Sequence, residues 1–416
     1  MSVRRNYSLL SAAVFCYFFG QAAAISLLSI WLTQTLHLGG ADVGKVFSAN
    51  FVAAMIFQPI YGFLSDRLGH SRAMPIFIGC MVVAAGPFFS WIYGPLLRAN
   101  ITTGAIVGGL YIGMTFVAGS YAMETYIDRV SRRNGFEYGR VRLWGSLGFA
   151  SAALFSGRIY NSNPSINFYL ATAAGLLLVP LLLRSGGAEG QAPQLRSGNT
   201  VSILDSLSVL RMAQFWRLML LILGVTDLYL VYDQQFPAYF SSMFSTSAKG
   251  NTMFGYLNSA QIFVEAGMMF IAPIIVRRIG PKNGLLLASA IMIIRISGSG
   301  LAVGPLTISA CKMLHSFELP ILVVSVFRYI SIHFEPRLSG TVYMVGFSFG
   351  HSLGLATLST VAGALYDHMG FQHTYFVMAA VASVFWGLSV CFLSPTPAAG
   401  GLGNMQRQSV LKSSCA

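Results

Sequence analysis

Residues 8–32 read SLLSAAVFCYFFGQAAAISLLSIWL and contain no charged side chain. A helix needs about 20 mostly apolar residues to cross a bilayer, so this stretch is long enough for one span. It is too long for the apolar core of a cleavable signal peptide, and it lacks a convincing small-residue cleavage site. We therefore expect it to remain in the mature protein as the first of several membrane helices.

Similar apolar blocks recur along the chain, for example at 73–93, 168–183 and 375–393. Apolar residues make up 55% of the 416 residues and charged residues only 9%, against about 25% charged residues in soluble domains. So little charge cannot cover the surface of a soluble fold of this size. The pattern predicts an all-α membrane protein with twelve transmembrane helices, at residues 8–33, 43–65, 74–95, 102–128, 137–163, 166–184, 213–243, 251–276, 283–303, 306–331, 338–363 and 371–394.

The net charge of +13 follows the predicted loops. With both termini in the cytoplasm, 18 of the 26 Lys and Arg residues fall on the cytoplasmic side and 4 outside, while the other 4 lie in helices or near their ends. This asymmetry is the positive-inside rule for membrane proteins. The basic charge thus predicts a multi-pass protein of the cell inner (plasma) membrane, and it requires no nucleic-acid partner.

Two halves are predicted, joined by a polar linker. We expect six-helix bundles at residues 1–184 and 212–394, a Gly- and Ser-rich cytoplasmic linker at 185–211 and a cytoplasmic tail at 395–416. Four residues recur at a spacing of 211 positions: Gly44, Ser48, Arg67 and Gly69 match Gly255, Ser259, Arg278 and Gly280. Parallel repeats with a site between them are typical of secondary transporters, although the frequency of Gly in this chain offers a simpler explanation.

Charged residues at membrane depth are costly and should face a cavity or a partner. In the first half the candidates are Glu124 and Arg142, which lie at comparable depth on antiparallel helices. Carboxylate acceptors beside a forked guanidinium suit sugar hydroxyls. A structural ion pair at the cytoplasmic edge is the alternative.

The second half carries more charge at depth. His315 and Glu318 are one turn apart on one helix face, and Lys312 could neutralise Asp233 from the facing helix. An apolar cavity favours the neutral form of a carboxyl group, and a neighbouring cation favours the charged form, which is the chemistry of a proton carrier. The alternative is a charge-balanced network that serves folding alone. The full set is Asp227, Asp233, Glu265, Arg295, Lys312, His315, Glu318 and His351.

Neutral polar residues are predicted to complete the cavity. Gln261 and Glu265 are four residues apart on one helix face, and Asn50 holds the position equivalent to Gln261 in the first half. Singly, each of these could join two helices by a hydrogen bond. Together they indicate polar groups on both sides of one cavity.

Several stretches resemble the oligosaccharide–proton symporters of the major facilitator superfamily, the lactose and sucrose permease group. The resemblance runs from about residue 19 to 393 and implies the major facilitator fold of two pseudo-symmetric bundles. Its most specific parts are GPLLRANITTGAIVGGLYIG (94–113), VSRRNGFEYGRVRLWGS (130–146), YDQQF (232–236), RIGPKNGLLLA (278–288), KMLHSFELP (312–320) and FRYISIHFEPRLSGTVY (327–343). The general superfamily signature is present as GFLSDRLGHSR (62–72).

The resemblance assigns roles to individual residues. It implies that Glu124 and Arg142 are the sugar-binding ion pair and that Phe149 replaces a Trp that stacks on the sugar. It implies proton coupling by Arg295, His315 and Glu318, with Glu318 carrying the proton, and a charge pair between Asp233 and Lys312.

Two departures from the lactose permease pattern stand out. Ile262 occupies the place of an essential carboxylate, with Glu265 one turn further on, as in the sucrose permease branch. Leu230 and His351 occupy the places of a second ion pair, so we expect Asp227 to partner His351 instead.

The predicted function is proton-coupled symport of a disaccharide or small oligosaccharide, sucrose or a galactoside, by alternating access. The predicted partners are the sugar, the proton and membrane lipid, with the chain acting as a monomer. The alternatives are a drug–proton antiporter on the same fold and a membrane sugar sensor that does not transport. The five cysteines are scattered without metal-ligand or disulfide spacing, and no catalytic residue set is present, so neither a cofactor nor an enzyme is expected.

Overall fold

The computed structural model describes residues 3–68, 71–185, 209–334 and 350–395, and these form helices joined by short turns. The predicted linker 185–211, apart from its ends, the tail after 395 and the first part of the predicted helix 338–363 lie outside the described residues. Most of the helices are long, and their bounds are as follows: α1 Arg4–Thr35, α2 Gly40–Leu68, α3 Ala73–Val83 with Ala85–Ala99, α4 Ile101–Asn134, α5 Tyr138–Ser162, α6 Pro164–Arg184, α7 Ala213–Ser242, α8 Ser247–Ile279, α9 Pro281–Gly300, α10 Pro305–His333, and α11 and α12 within His351–Phe392.

Two features bring the helices to twelve. The two parts of α3 meet at a bend of 44° and together make one span. The last helix, 42 residues long, is far longer than a bilayer needs. It breaks at Gly370, whose φ of 76° and ψ of 172° suit only glycine. Residues 351–369 therefore form α11 and residues 371–392 form α12.

α5 packs closely against α1 in its own bundle and against α8. Two of its glycines face the backbone of other helices at close range: Gly148 meets Phe15 on α1, and Gly157 meets Asn251 on α8. Side chains at these positions would overlap that backbone. Small residues of this kind let transmembrane helices approach closely where apolar packing is not available as a driving force.

The helices form two bundles of six, α1–α6 and α7–α12, and the repeated glycines lie where the bundles meet. Gly44 on α2 faces the backbone of Ser359 on α11, and Gly255 on α8 faces Ala153 on α5, where an added Cβ would lie 2.7 Å from the Ala153 oxygen. The two equivalent positions thus make equivalent contacts with the opposite bundle. This is the arrangement expected of two related halves.

Polar contacts close the bundles at the end where α1 finishes and α2 begins. Asp367 on α11 accepts hydrogen bonds from the backbone N–H groups of Gly40 (2.6 Å) and Ala41 (2.8 Å) at the start of α2. On the other side of the protein, Asn251 on α8 donates to Gln34 on α1 at 3.0 Å. We call this region the closed end.

Close backbone packing at the closed end can be tested at Gly363 on α11. A Cβ there would lie 2.9 Å from the carbonyl carbon of Gly40, and overpacking of this kind costs about 1–3 kcal/mol. We expect Gly363→Val to open the closed end. A cysteine placed at Val43, fully buried at this interface, should then react faster with a maleimide when the native cysteines have been replaced.

Gly267→Val is the matched control, since Gly267 on α8 has open space around it. It should leave the labelling rate unchanged. Equal labelling in the two variants would show that packing at Gly363 does not hold this end shut.

Candidate functional site

Arg295 on α9 is the centre of a buried charged cluster in the second bundle. Its side chain is completely buried, and its guanidinium donates to Glu318 Oε1 at 2.7 Å and to Asp233 Oδ2 at 3.1 Å, with a second bond from Nη2 to Asp233 Oδ1. A buried guanidinium is tolerable only when carboxylates satisfy its forked donors. Arg295 therefore ties α7, α9 and α10 to one another.

Lys312 and His315 complete the cluster from α10. Lys312 Nζ lies 3.7 Å from Asp233 Oδ1, and His315 Nδ1 lies 3.2 Å from Glu318 Oε1. The structure thus brings together the three residues predicted to couple protons and both members of the predicted Asp233–Lys312 pair. Two cations face two carboxylates around one histidine, so the charges balance when His315 is neutral.

Aromatic rings on α7 enclose Arg295, and sequence reasoning missed them. The guanidinium carbon lies 4.9 Å from the ring centroid of Tyr232, 5.2 Å from that of Tyr229 and 5.8 Å from that of Phe236. The Tyr229 hydroxyl also hydrogen bonds to His315 Nδ1. The spacing of these residues could have predicted the contact, because residues 229, 232, 233 and 236 lie on one face of a helix. Aromatic faces stabilise a cation by cation–π attraction.

Two atoms of the cluster are sealed from solvent and lack a hydrogen-bond partner within the described residues, namely Arg295 Nε and Glu318 Oε2. A buried polar atom without a partner is costly. Since Oε1 of Glu318 is held by Arg295 and His315, Oε2 is the oxygen left for a proton.

The α8 residues reach this cluster from the side of the first bundle. Glu265 Oε2 accepts a hydrogen bond from Gln261 Nε2 at 3.1 Å and lies 3.9 Å from His315 Nε2. Glu265 remains 20% exposed, whereas Gln261 is 2% exposed. Of these two α8 residues, Glu265 is therefore the one that an incoming molecule could touch.

Asn50 does not lie open to a cavity as predicted. It is 3% exposed, and its backbone lies against Gly113 of α4 inside the first bundle. The glycine removes the side chain that would keep α2 away from α4, and this close approach seals Asn50. Gln261 is also buried, at 2% exposure.

The Glu124–Arg142 pair stands apart from the buried cluster and is open to solvent. Arg142 Nε donates to Glu124 Oε1 at 2.8 Å, and the two side chains are 33% (Glu124) and 31% (Arg142) exposed. The guanidinium carbon of Arg142 lies 4.1 Å from the ring centroid of Phe18 on α1. Phe149 lies two turns beyond Arg142 on α5 and is partly buried. This pair can offer both donors and acceptors to a polar ligand.

The sequence matches the LacY proton/sugar symporter family over residues 1–401. The chain belongs to this family. The raffinose permease of Escherichia coli is 41% identical over 92% of this chain and 91% of its own length. The sucrose permease of Escherichia coli is 35% identical over 93% of this chain and 94% of its own length. In structure, the nucleoside transporter NupG superposes with a TM-score of 0.78 over 94% of this chain and 100% of its own, at 14% identity.

Family membership confirms the predicted resemblance and the twelve-helix major facilitator fold. It makes the chain a multi-pass membrane transporter of the sugar symporter class rather than an enzyme, and it does not favour the drug antiporter alternative. The whole-chain identities do not single out the sucrose branch that the α8 residues predicted, because the raffinose permease shares more identity with this chain than the sucrose permease does.

The symporter chain also places His351 beside Asp227. The histidine Nδ1 hydrogen bonds to Asp227 Oδ1, and Asp227 is fully buried. Asp227 also lies against Gly354, one turn after His351, where a side chain would collide with the carboxylate. The contact joins α7 to α11 near the middle of the second bundle.

Removal of one partner should reveal how much this contact stabilises the symporter. Removal of one partner of a buried hydrogen bond leaves the other unsatisfied at a cost of about 1–3 kcal/mol, so Asp227→Ala should lower the thermal aggregation temperature of the purified protein clearly. Asp227→Asn should lower it less, because the amide oxygen still accepts a hydrogen bond.

The control is Asp42→Ala, which breaks an exposed pair with Lys45. Exposed pairs contribute at most about 1 kcal/mol, so this change should be nearly neutral. If Asp227→Ala behaved like Asp42→Ala, the buried contact would have no stabilising role.

Proposed function

We propose that this symporter carries a disaccharide or small oligosaccharide into the cell together with a proton, by alternating access. The observation that carries the proposal is the separation of two charged sites in one chain. Glu124 and Arg142 form a partly exposed pair in the first bundle, while Arg295 and Glu318 are completely buried in the second. A polar solute needs an open site, and a proton needs a sheltered one.

The exposed pair is the proposed sugar site. Glu124 and Arg142 keep free donor and acceptor positions beyond the one bond between them, and sugars present several hydroxyls that both donate and accept. Phe149 on the same face of α5 supplies an apolar surface for a sugar ring. From the second bundle, Glu265 is the proposed contact, with Gln261 as the residue that orients it. Asn50 is proposed to support α2 rather than to touch the sugar.

The sealed cluster is the proposed proton site. Glu318 carries the proton on Oε2, while Arg295 and His315 hold Oε1. Asp233 and Lys312 remain as the charge pair that keeps Arg295 partnered when Glu318 is neutral. Glu265 is the proposed link between the two sites, because it is partly exposed and lies 3.9 Å from His315 Nε2. Binding of sugar at Glu265 would thus change the electrostatic environment of His315 and the proposed proton site.

The closed end sets the direction of opening. With both termini in the cytoplasm, as the loop charges predict, the closed end faces outward and the Glu124–Arg142 pair opens inward. The proposed location is the cell inner membrane. Both sites are built from one chain, so a monomer surrounded by lipid suffices, and H⁺ is the only coupling ion required.

Glu318→Gln separates coupling from sugar binding. The wild type should alkalinise an unbuffered medium when sugar is added to de-energised cells, because each sugar brings a proton in. Glu318→Gln mimics the protonated form permanently. It should abolish uphill accumulation and keep sugar exchange across the membrane.

Glu137→Gln is a matched control, since Glu137 is 73% exposed in a pair with Arg140, and it should transport normally. Loss of exchange as well as accumulation in Glu318→Gln would count against Glu318 as the proton carrier. A wild type that binds sugar but never moves protons would be a sensor rather than a symporter.

Arg142→Lys tests the sugar site. Lysine keeps the positive charge but loses the planar fork that serves Glu124 and a sugar hydroxyl together. Loss of a hydrogen bond to a charged group costs about 1.5–3 kcal/mol, so the apparent KM for uptake should rise about ten- to a hundredfold. Uptake of labelled raffinose, sucrose, melibiose and lactose by a transport-null strain would measure it. An unchanged KM for every transported sugar would place the binding site elsewhere.

A further inference from the structure

Gln21 on α1 is held in one orientation by residues of α4. Its side-chain Nε2 donates to the backbone carbonyl of Phe116 at 3.0 Å and to Ser120 Oγ at 2.8 Å. Ser120 itself donates to the Phe116 carbonyl at 2.6 Å, so the serine oxygen is an acceptor toward Gln21. Both hydrogens of the amide nitrogen are therefore used.

The hydrogen-bonding chemistry of these partners determines the positions of the amide nitrogen and oxygen of Gln21. A backbone carbonyl can only accept, so the atom that faces Phe116 must be the nitrogen. A flipped amide would set its oxygen against the carbonyl oxygen and would lose both bonds. Neighbouring Tyr17 donates its hydroxyl hydrogen to the backbone carbonyl of Thr115 at 2.9 Å, so it does not supply a competing donor.

The amide oxygen is left facing outward. Gln21 is only partly buried, and Oε1 is not one of the polar atoms of the described residues that are sealed from solvent without a partner. No described residue donates a hydrogen bond to it. Oε1 is thus an acceptor of fixed orientation that is available to a hydrogen-bond donor from solvent or ligand.

This acceptor lies next to the exposed ion pair. Ser120 is one turn before Glu124 on α4, and Phe18, which packs on Arg142, is one turn before Gln21 on α1. Gly145 leaves the room for Phe18 and Arg142 to meet, since a Cβ there would lie 2.9 Å from the guanidinium Nη1. Gln21 and its partner Ser120 therefore lie one helical turn away from residues that form or contact the ion pair.

We propose that Gln21 is a specificity-determining sugar contact whose Oε1 accepts a hydrogen bond from one sugar hydroxyl. This inference rests on the proposed function of the Glu124–Arg142 pair. The acceptor is neutral and cannot rotate to become a donor, so it selects sugars with a hydroxyl group at the matching position. A sugar without that hydroxyl leaves Oε1 unsatisfied, and sites built in this way reject the deficient analogue.

The test measures equilibrium binding of monodeoxy and monodeoxyfluoro derivatives of whichever panel sugar the wild type transports. One deoxy position should weaken binding about three- to tenfold, the range of a single hydrogen bond. The fluoro derivative at that position should be weakened equally, because C–F cannot donate. Equal binding of the fluoro derivative and the parent sugar at every position would overturn the proposal.

The variant Gln21→Met keeps a similar shape without an acceptor of comparable strength. It should bind the parent sugar about three- to tenfold more weakly and should no longer distinguish the parent sugar from the deoxy derivative. Gln21→Met binding that weakens equally for every derivative would mean a structural role only, and unchanged binding would mean no contact.

Ser120→Ala is the companion variant, since it keeps Oε1 but removes one of the bonds that orient it. It should bind the parent sugar with an intermediate loss and keep the preference over the deoxy derivative. A wild type that moves no panel sugar would refute the proposed function itself, an outcome distinct from failure at Gln21.

Discussion

The second bundle depends on a fully buried guanidinium that has to be neutralised. Removing such a cation from water costs several kcal/mol, and only well-placed carboxylates recover that cost. Arg295 obtains them from α7 and α10 and receives aromatic faces from α7. The three helices cannot separate without exposing the charge to lipid. The second bundle is therefore held together by the same ions that form its proposed proton site.

The first bundle has the opposite character. Its ion pair is exposed, its helices meet through glycines, and its polar network runs through backbone carbonyls rather than buried charges. A bundle of this kind presents hydrogen-bonding groups to a solute at low desolvation cost. The difference between the bundles explains how two related repeats can hold different tasks, since the repeated glycines and serines preserve the interface while the charges have diverged.

Most of the architecture could be predicted from the sequence. The apolar blocks, the loop charges and the 211-residue repeat all follow from local rules of helix length and membrane insertion. The charged residues of the sites were identified as well, because an ion at bilayer depth is rare. The sequence could not predict the packing between helices. Asn50 is buried where Gly113 lets α4 approach α2. The aromatic rings of Tyr229, Tyr232 and Phe236 lie around Arg295 because of the way α7 faces α9. Spacing within one helix does not specify the distance to the next one.

The carboxylate of Asp367 affects the step in which the two bundles separate at the closed end. It neutralises the positive end of the α2 dipole from the opposite bundle and occupies two N–H groups that have no partner within their own helix. When the bundles part, water can take over both the carboxylate and the exposed amides at little net cost. The Asp367 contact at the closed end can therefore be released by hydration, in addition to the exposure of apolar residues such as Val43 that are buried beside it.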